Sequence, residues 1–446
     1  MRPTRAKDHP ATAPPQPATA APVASPAPGR EADDEQGHGR AEERPAAGGP
    51  LPAGPAEVRR IDADVPGAVG RMLDHVLTER LRRARLADPL FAREVAERVA
   101  GFTLEGGKRR RAQLVWWASR ACAGPDPASA GAALRIAAAL ELLQTCALVH
   151  DDVMDRATLR RGRPTLHTDL TAEYADRVGA GRAERFGQSA AVLAGDLALV
   201  WADDMVAETP LAPWTGVVVR RLWSDMRTEM VAGQYLDVQG QVTATRSLPR
   251  VLRAARLKSA LYSVERPLAL GAAVAGADEV TLRRLCEAGR CVGMAFQLRD
   301  DLDDVFGDPR RTGKACGGDI REGKPTYLVA VARERAEATG NGAALAVLDR
   351  WLGDPALTRH GLDEVRDVLV TTGARATVET RVDRLAAQGL RHFDGAVLDA
   401  EGAGPLRALL LATAGAGQYG GEASPRPRTA DGPCAAGAGG GAGSGR

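Results

Sequence analysis

The sequence predicts an all-α protein built as a large helical bundle. From about residue 58 to residue 414, Leu, Val and Ala recur at three- and four-residue spacing, as in Val69, Met72, Leu73 and Val76. This period is that of one apolar face of a helix. Strict alternation of β-branched or aromatic residues with polar ones is missing from the sequence. Pro and Gly interrupt the helical pattern and mark loops at Gly124-Pro125, Arg163-Pro164, Thr209-Pro210, Gly307-Asp308-Pro309 and Lys324-Pro325.

Two segments, 130–149 and 283–297, are apolar around most of their helical circumference. A helix that is apolar on nearly all sides belongs in the interior of a bundle. We therefore expect both segments at central positions, with any functional site built from the walls of the bundle.

Both ends of the chain differ in composition from its middle. Residues 1–57 are rich in Pro, Ala and charged residues, and residues 420–446 are rich in Gly and Ala. Such segments bury too little apolar surface to offset the entropy of ordering them, so we expect two flexible tails around one domain at 58–419. The first residues lack the apolar run of a secretory signal, and no window has the roughly 18 apolar residues of a membrane span. The sequence thus predicts a cytoplasmic protein.

Charge and cysteine content exclude several classes of protein. A formal net charge of +2 gives no reason to expect a nucleic-acid partner. Six scattered Cys form no CxxC pair and no disulfide framework, which predicts reduced thiols. Of 59 basic residues only five are lysines. The four in the predicted domain lie beside Gly, Ser or Asp-rich motifs and are therefore candidates for function: Lys108, Lys258, Lys314 and Lys324.

An acidic cluster ends the first central segment. It consists of Asp151, Asp152 and Asp155. Residues four apart share a helix face, so Asp151 and Asp155 point the same way, with Asp152 offset by about 100°. Carboxylates this close repel each other unless a cation lies between them. Mg²⁺ takes oxygen ligands and is usually bound by one or two carboxylates plus substrate phosphates, which makes it the expected ion.

The same spacing recurs at Asp300, Asp301 and Asp304, again at the end of an apolar helix. A single DDxxD cluster is most often a solvated helix end. Two clusters with identical spacing, each at the end of a buried helix, favour metal binding over two solvated ends.

Basic residues accompany both clusters. They are GGKRRR at 106–111, Arg160, Arg161 and Arg163 after the first cluster, and Lys314 and Lys324 after the second. A basic run alone usually marks a solvated face, and GGKRRR lacks the spacing of a nucleotide-binding P-loop. Guanidinium groups do, however, suit bidentate contacts with phosphate oxygens. Together with the carboxylates, these cations predict a pocket for diphosphates, with apolar helices leading away from it.

Several motifs occur in a fixed order between roughly Asp62 and Leu390: GGKRRR, LVHDDVMD with RRGRPT, GQYLD, the Lys258-Ser259 pair, FQLRDDLDD and GDP..TGK..GGDIREGK. In this combination the chain resembles the trans-isoprenyl diphosphate synthases, or polyprenyl synthetases, and most of all the bacterial geranylgeranyl diphosphate synthases. The resemblance implies the type I isoprenoid synthase fold, a helical bundle around a central apolar cavity with the two aspartate clusters facing each other. It also implies a homodimer.

The resemblance further implies roles for single residues. The magnesium ligands, for a set of three ions, would be Asp151, Asp155, Asp300 and Asp304, with Asp152 and Asp301 as supporting catalytic residues. The allylic diphosphate would be bound by Arg160, Lys258, Lys314 and Lys324, with Ser259 and Gln297 beside its reacting end. Isopentenyl diphosphate would be bound by Lys108, Arg111, His150 and Arg161. Gln234 and Asp237 would face the same cavity.

Two of these assignments have simpler alternatives. A lone His at a helix end, such as His150, is more often a packing residue than a ligand. A Lys-Ser pair such as Lys258-Ser259 can lie on a helix surface. Their positions within the family's motifs favour the ligand roles.

The expected reaction joins isopentenyl diphosphate to dimethylallyl, geranyl or farnesyl diphosphate. Ionisation of the allylic C–O bond would leave an allylic cation, which the double bond of isopentenyl diphosphate attacks before a proton is lost. Chain growth past fifteen carbons is sterically allowed because Cys146 and Ala147, about one turn before Asp151, are small. Leu143, a turn further, is a candidate for the next floor of the tunnel. The expected product is geranylgeranyl diphosphate, with longer polyprenyl or farnesyl diphosphate as the alternative.

Two other functions are compatible with parts of this pattern. A class I terpene cyclase resembles this fold and has a first DDxxD cluster, but its second metal motif resembles an Asn/Ser/Glu triad and it has no need of GGKRRR. A non-catalytic subunit of a heteromeric synthase would be expected to have lost aspartates or cations, and none is missing here.

Overall fold

A computed structural model describes residues 51–52, 54–160, 162–243, 247–308 and 316–415. Its α-helices in chain order are α1 (Pro55–Asp62), α2 (Val65–Ala87), α3 (Pro89–Phe91), α4 (Glu97–Glu105), α5 (Arg110–Ala123), α6 (Pro127–Met154), α7 (Leu166–Val178), α8 (Ala180–Ala207), α9 (Pro213–Val242), α10 (Leu248–Ala255), α11 (Arg266–Val274), α12 (Glu279–Phe306), α13 (Gly318–Glu322), α14 (Tyr327–Ala338), α15 (Gly342–Trp351), α16 (Arg359–Thr371), α17 (Ala374–Asp394) and α18 (Ala400–Ala414). The predicted all-α class is confirmed.

The structure also contains elements that the sequence pattern did not predict. Two π-helices continue the α-helices on either side of them, π1 (Ala92–Ala96) and π2 (Arg256–Glu265). Strands β1 (Leu159–Arg160) and β2 (Arg163–Pro164) pair antiparallel. Pro164, which we interpreted as part of a loop, therefore belongs to a short hairpin that follows the first acidic cluster.

The predicted breaks between helices otherwise agree with the structure. Gly124-Pro125 separates α5 from α6, Thr209-Pro210 separates α8 from α9, and Lys324-Pro325 separates α13 from α14. Helix α1 begins within the predicted first tail, at Pro55. Residues 1–50 and 416–446, which hold most of both predicted tails, lie outside the described residues, so the domain limits stay predictions.

Helix α6 is the central helix of the first half of the bundle. Asp126 caps it by accepting a hydrogen bond from the Ser129 amide at 2.8 Å, and Pro127 occupies its first turn. From Ala130 to Leu143 every residue is buried. Within the described residues α6 alone is long and apolar enough to cross a membrane, but 83% of its apolar window is buried among other helices. Burial to this extent shows that α6 is a core helix of the bundle.

The apolar core has two parts. The first includes the buried faces of α2, α6 and α8, and the second those of α12, α14, α17 and α18. Helix α5 and the continuous segment formed by π2 and α11 contribute to both. The predicted central segments 130–149 and 283–297 thus lie in α6 and α12, one in each part.

A buried ion cluster joins the first and last described helices. Arg120 on α5 is 1% exposed and donates two hydrogen bonds to Asp62, at 3.0 and 2.9 Å. Its Nη2 also donates to Glu401 on α18 at 3.0 Å, and Trp116 Nε1 donates to Asp62 at 2.9 Å. A buried guanidinium requires such partners, because removing one partner of a buried ion pair lowers the free energy of unfolding by about 3–5 kcal/mol.

Five cysteines lie in the described part of the chain, and none of them forms a disulfide: Cys122, Cys146, Cys286, Cys291 and Cys316. Burial raises the pKa of the Cys122 and Cys146 thiols to about 12. These thiols therefore behave as packing groups, in agreement with the prediction of reduced cysteines.

Candidate active site

Three elements converge on the first acidic cluster. Asp151, near the end of α6, accepts a hydrogen bond from Gln234 Nε2 on α9 at 3.0 Å. It also accepts one from Lys258 Nζ on π2 at 3.2 Å. The same ammonium group donates to Asp237 on α9 at 2.6 Å. Lys258 therefore links two carboxylates from two different helices, and Gln234 and Asp237 lie beside the first acidic cluster.

Asp152 has a different environment from its neighbours. It is 1% exposed and pairs with the Arg160 guanidinium, whose Nε lies 2.8 and 2.9 Å from its two oxygens. Arg160 Nη2 also lies 3.6 Å from Asp151. Asp152 thus fixes the position of Arg160 in β1. The Nη2 group of Arg160 then also faces Asp151 of the cluster.

The second cluster ends α12 with one side chain exposed, one half-buried and one buried. Asp300 is exposed and Asp304 half-buried. Asp301 is buried and accepts a hydrogen bond from Gln297 Nε2 at 2.7 Å. Asp304 accepts a hydrogen bond at 3.1 Å from the backbone amide of Asp319 on α13. Asp319 is an acid that the sequence analysis did not assign to the site.

Lys324 joins the two clusters. Its Nζ lies 3.2 Å from Asp155 on α6, 3.8 Å from Asp319 and 2.6 Å from Glu322. Because Asp319 also contacts Asp304, a continuous series of contacts runs from the first cluster to the second. The sequence prediction that both clusters share one cleft thus has a direct geometric basis in these side chains.

Burial, neighbouring carboxylates and nearby cations shift the pKa values of the cleft aspartates in opposite directions. Burial by itself would raise the pKa of Asp151, but Lys258, Lys324 and Arg160 outweigh burial and lower it. Burial and the nearby Asp304 raise the pKa of Asp319 to about 7, and burial with Asp319 raises the pKa of Asp301 far above its usual range. Burial and neighbouring carboxylates therefore dominate the electrostatics at Asp301 and Asp319.

The donor set fits Mg²⁺. All candidate ligands are carboxylate oxygens, which are the ligands that Mg²⁺ prefers, and carboxylates this close repel each other unless a cation lies between them. Among the described residues, no three acidic, His or Cys side chains are grouped closely enough to hold a metal ion by themselves. Mg²⁺ typically completes its coordination with water and substrate phosphates, so a site made of separated carboxylates suits an ion that arrives with a diphosphate.

The GGKRRR segment turns between α4 and α5. Gly106 and Arg109 both have φ of 47°, in the left-handed region, which Gly adopts without strain. Arg109 donates to the carbonyls of Pro66 and Leu104, each at 3.0 Å, so this arginine has a structural role. Lys108 beside it is exposed, as a ligand-binding residue can be.

Arg111 faces π2. Its Nη2 donates to Ser263 Oγ at 2.9 Å, and its guanidinium lies 4.6 Å from the centre of the Tyr262 ring. The Tyr262 hydroxyl in turn donates to Gln144 on α6 at 2.9 Å. Gln144 also lines a narrow cleft together with Gly106 and Gly107. Arg111 and Gln144 thus both contact Tyr262, and Gln144 lies beside the glycines of the α4–α5 turn.

His150 contacts a different side of α6. Its Nε2 lies 3.0 Å from the Val192 carbonyl on α8, and its Nδ1 lies 3.7 Å from Cys146 Sγ. A Cβ on Gly195 of α8 would lie 2.1 Å from the same imidazole, so the ring fills the space that this glycine leaves. His150 Nε2 also lies 3.8 Å from Asp196 Oδ1 on α8. These contacts with α6 and α8 fit the alternative interpretation of His150 as a packing residue.

The predicted chain-length residues also divide between two sides of α6. Cys146 is 3% exposed and points with His150 toward α8. Ala147 is half-buried and lies one turn before Asp151 on the cleft side. Leu143 is fully buried.

Two predicted ligands, Arg161 and Lys314, lie outside the described residues. Conversely, the structure adds Asp319, Gln144 and Tyr262 to the neighbourhood of the site. Asp319 lies in the GGDIREGK motif, of which only Lys324 was predicted to belong to the site. Gln144 is seven residues before Asp151 and so shares its helix face, a periodicity that could have identified it.

Comparison with known proteins places this geometry in a family. The model of the family described as polyprenyl synthetase matches residues 93–354. The chain belongs to the polyprenyl synthetase family. Its members are metal-dependent trans-prenyltransferases that use isoprenyl diphosphate substrates, and the predicted family and enzyme class are confirmed.

The curated relatives include enzymes with different products. Geranylfarnesyl diphosphate synthase of Aeropyrum pernix is 30% identical over 64% of this chain and 83% of its own length. Farnesyl diphosphate synthase of Geobacillus stearothermophilus is 36% identical over 52% of this chain and 73% of its own. Geranylgeranyl diphosphate synthase of Mycobacterium tuberculosis is 33% identical over 65% of this chain and 81% of its own. Identity to these relatives therefore does not select one product.

A solved structure extends the similarity to the fold. Geranylgeranyl pyrophosphate synthase from Corynebacterium glutamicum, complexed with isoprenyl diphosphate and magnesium, has a TM-score of 0.72 and 35% identity. It covers 78% of this chain, and the match includes 98% of that protein. The type I isoprenoid synthase fold expected from the sequence is confirmed.

Proposed function

We propose that this prenyltransferase is magnesium-dependent and condenses isopentenyl diphosphate head-to-tail with allylic diphosphates to give geranylgeranyl diphosphate. The observation that carries the proposal is the contact series across the cleft, in which Lys324 joins Asp155 to Asp319 and Asp319 contacts Asp304. Two acidic clusters held together at the end of apolar helices suit a substrate with a diphosphate head and a prenyl tail.

The allylic diphosphate would bind between the clusters. Lys258, Lys324 and Arg160 supply positive charge there, and Ser259 and Gln297 belong to the same walls. Each of these three cations also pairs with an aspartate of the first cluster, so none of them is buried without a polar partner. Asp151, Asp155, Asp300 and Asp304 are the proposed ligands of about three Mg²⁺ ions, an ion count that fits a diphosphate shared by two clusters.

Isopentenyl diphosphate would bind beside the α4–α5 turn. We assign its diphosphate to Lys108, Arg111 and Gln144, with Arg161 as a further predicted ligand. His150, whose ring packs on α8, would act by fixing the orientation of α6 rather than by binding substrate. This replaces the ligand role that the resemblance implied for His150.

The chemistry requires charge stabilisation and orientation more than a nucleophile. Bound Mg²⁺ would supply Lewis-acid stabilisation of the charge on the departing diphosphate. Lys258, Lys324 and Arg160 would add preorganised positive charge beside the departing diphosphate as the allylic C–O bond ionises. Arg111 and Lys108 would hold the second substrate so that its double bond faces the allylic carbon.

The length of the product would depend on the cleft side of α6. One helical turn rises about 5.4 Å, which is comparable to one extended isoprene unit. Ala147, one turn before Asp151, leaves that position open for a chain of more than fifteen carbons. Leu143, a further turn away and buried, is the proposed next restriction on α6.

A second copy of the chain is the proposed partner. Helix α8 exposes Leu193 (60%) and Val200 (54%) seven residues apart on one face, and α9 begins with the exposed Trp214 (77%). Large apolar side chains exposed at helical spacing are typical of an interface. The cytoplasmic location stays a prediction.

The first test is an elongation assay. The purified protein with Mg²⁺, isopentenyl diphosphate and each of dimethylallyl, geranyl and farnesyl diphosphate should give mainly twenty-carbon product. Asp151→Ala should lower kcat/KM by about 10³-fold, because it removes both a metal ligand and the partner of Lys258. Asp74→Ala, an exposed position on α2, serves as the control. Absence of elongation with every primer would refute the proposed reaction, and a longer or shorter product would correct the chain length.

The second test separates Gln144 from His150. Gln144→Ala should raise the KM for isopentenyl diphosphate about tenfold, the usual effect of losing a hydrogen bond to a charged group, with the allylic KM unchanged. His150→Ala should lower the unfolding temperature and leave both KM values within about twofold of the wild type. The assignment is wrong if His150→Ala, and not Gln144→Ala, raises the KM for isopentenyl diphosphate.

The third test concerns chain length. Ala147→Phe should shift the main product to fifteen carbons, because the ring would occupy the space one turn below Asp151. Cys146→Ala should leave product length unchanged, since Cys146 lies on the α8 side of the helix. Chromatographic sizing of the products measures both, and unchanged length with Ala147→Phe would rule out this path for the chain.

The fourth test concerns the homodimer. Light scattering of the wild type should give twice the mass of one chain. The double variant Leu193→Glu and Val200→Glu should give the mass of one chain, because two buried and unpaired carboxylates per copy oppose association. A wild type that scatters as a single chain would exclude the dimer.

A further inference from the structure

The π-helix π2 lies between the two proposed substrate sites. Near its start, Lys258 contacts Asp151 at 3.2 Å and Asp237 at 2.6 Å. Near its end, Ser263 accepts a hydrogen bond from Arg111, and Tyr262 contacts Gln144. The two ends of this ten-residue segment therefore contact two different proposed substrate sites.

Three glycines approach the backbone of π2 more closely than any other residue type could. A Cβ at Gly233 on α9 would lie 2.3 Å from the Lys258 backbone nitrogen and 2.7 Å from its Cα. A Cβ at Gly293 on α12 would lie 2.5 Å from the Ala260 carbonyl oxygen, and one at Gly289 would lie 2.7 Å from the Glu265 Cα. Each contact is to main-chain atoms, so no side-chain rotation could relieve it.

These glycines lie on the two helices that carry the acids and amides of the cleft. Gly233 precedes Gln234 and lies one turn before Asp237 on α9. Gly293 lies one turn before Gln297 on α12. Glycine within a helix costs about 1 kcal/mol relative to alanine, so its presence at these contacts indicates a packing requirement. A π-helix has wider hydrogen-bonded turns than an α-helix, which increases the need for space beside it.

We propose that Gly233, Gly289 and Gly293 are positioning residues that hold π2 against α9 and α12 and thereby place the Lys258 ammonium group between Asp151 and Asp237. The proposal rests on the proposed role of Lys258 in binding the allylic diphosphate. It assigns to the glycines the distance between that cation and the two carboxylates. The glycines act through the backbone of π2 and touch no substrate.

The principal test is Gly233→Ala. Its Cβ would displace the backbone at Lys258, so we expect kcat/KM for geranyl diphosphate to fall about 10²-fold, the usual cost of a misplacement of about 1 Å. The KM for isopentenyl diphosphate should stay within about twofold of the wild type, because Gly233 meets π2 at its Lys258 end.

Gly402→Ala is a matched control. Gly402 on α18 is also a buried helical glycine, and a Cβ there would lie 2.3 Å from the backbone nitrogen of Ala121 on α5, away from π2. Both variants should lower the unfolding temperature by similar amounts. If Gly402→Ala changes the kinetics as much as Gly233→Ala, general destabilisation explains the effect and the proposal is wrong.

A double-mutant cycle tests whether the glycine acts through the lysine. In a Lys258→Ala background, Gly233→Ala should cause little additional loss of kcat/KM, because the group that it positions is gone. Full additivity of the two losses would overturn the proposal. If Gly233→Ala does not fold, Gly289→Ala, whose Cβ contact is less close, replaces it in the comparison with Gly402→Ala. Kinetics of Gly289→Ala equal to those of Gly402→Ala would then overturn the proposal. A wild type that elongates no primer refutes the proposed function itself, which distinguishes the two failures.

Discussion

The cleft depends on how crowded carboxylates are kept together at the end of an apolar bundle. Like charges near a low-dielectric interior repel strongly unless cations lie between them. Here Lys258 lies between Asp151 and Asp237, and Lys324 lies between Asp155 and Asp319. The two lysines are held by these contacts. A metal–diphosphate complex would bring further positive charge between the carboxylates, so their crowding favours its binding.

Holding these charges in place requires a rigid frame around them. The segment that carries Lys258 is packed on α9 and α12 through glycine contacts to its backbone, and Asp152 holds Arg160 in a bidentate pair. Helix α6 packs on α8 at Gly195, whose missing side chain admits the His150 ring. Close helix packing and the ion contacts therefore support each other, because a change in helix spacing would alter the distances between charges.

In the proposed function, helix α6 connects binding of the diphosphate with the length of the product. Its last turn and C-cap carry Asp151 and Asp155, and the turns before them are largely buried. Two sides of this helix have different contacts. Gln144 lies beside the α4–α5 turn, while Cys146 and His150 lie toward α8. Residues close together in sequence would thus serve substrate binding and helix packing separately.

The sequence by itself determined the helical class, the central position of α6 and α12, and the two acidic clusters. These follow from local rules, since a 3.6-residue period and an i, i+4 spacing fix which side chains share a helix face. Motif order also pointed to Lys258 and Lys324, which contact Asp151 and Asp155 in the structure. Local spacing could not show which helix each face packs against, so it showed neither the contact of His150 with α8 nor that of Gln144 with Tyr262.

Only the tertiary structure decided how groups far apart in the chain meet. The contact of Lys324 with Asp155 joins residues 169 positions apart, and the pairing of Lys258 with Asp151 spans 107. The π-helical form of 256–265 has no periodicity signal in the sequence, because it depends on how closely α9 and α12 approach. The DDxxD spacing therefore specified which carboxylates share a helix end. Long-range packing specified how far these carboxylates lie from groups on other helices, because the backbones of those helices set the distances.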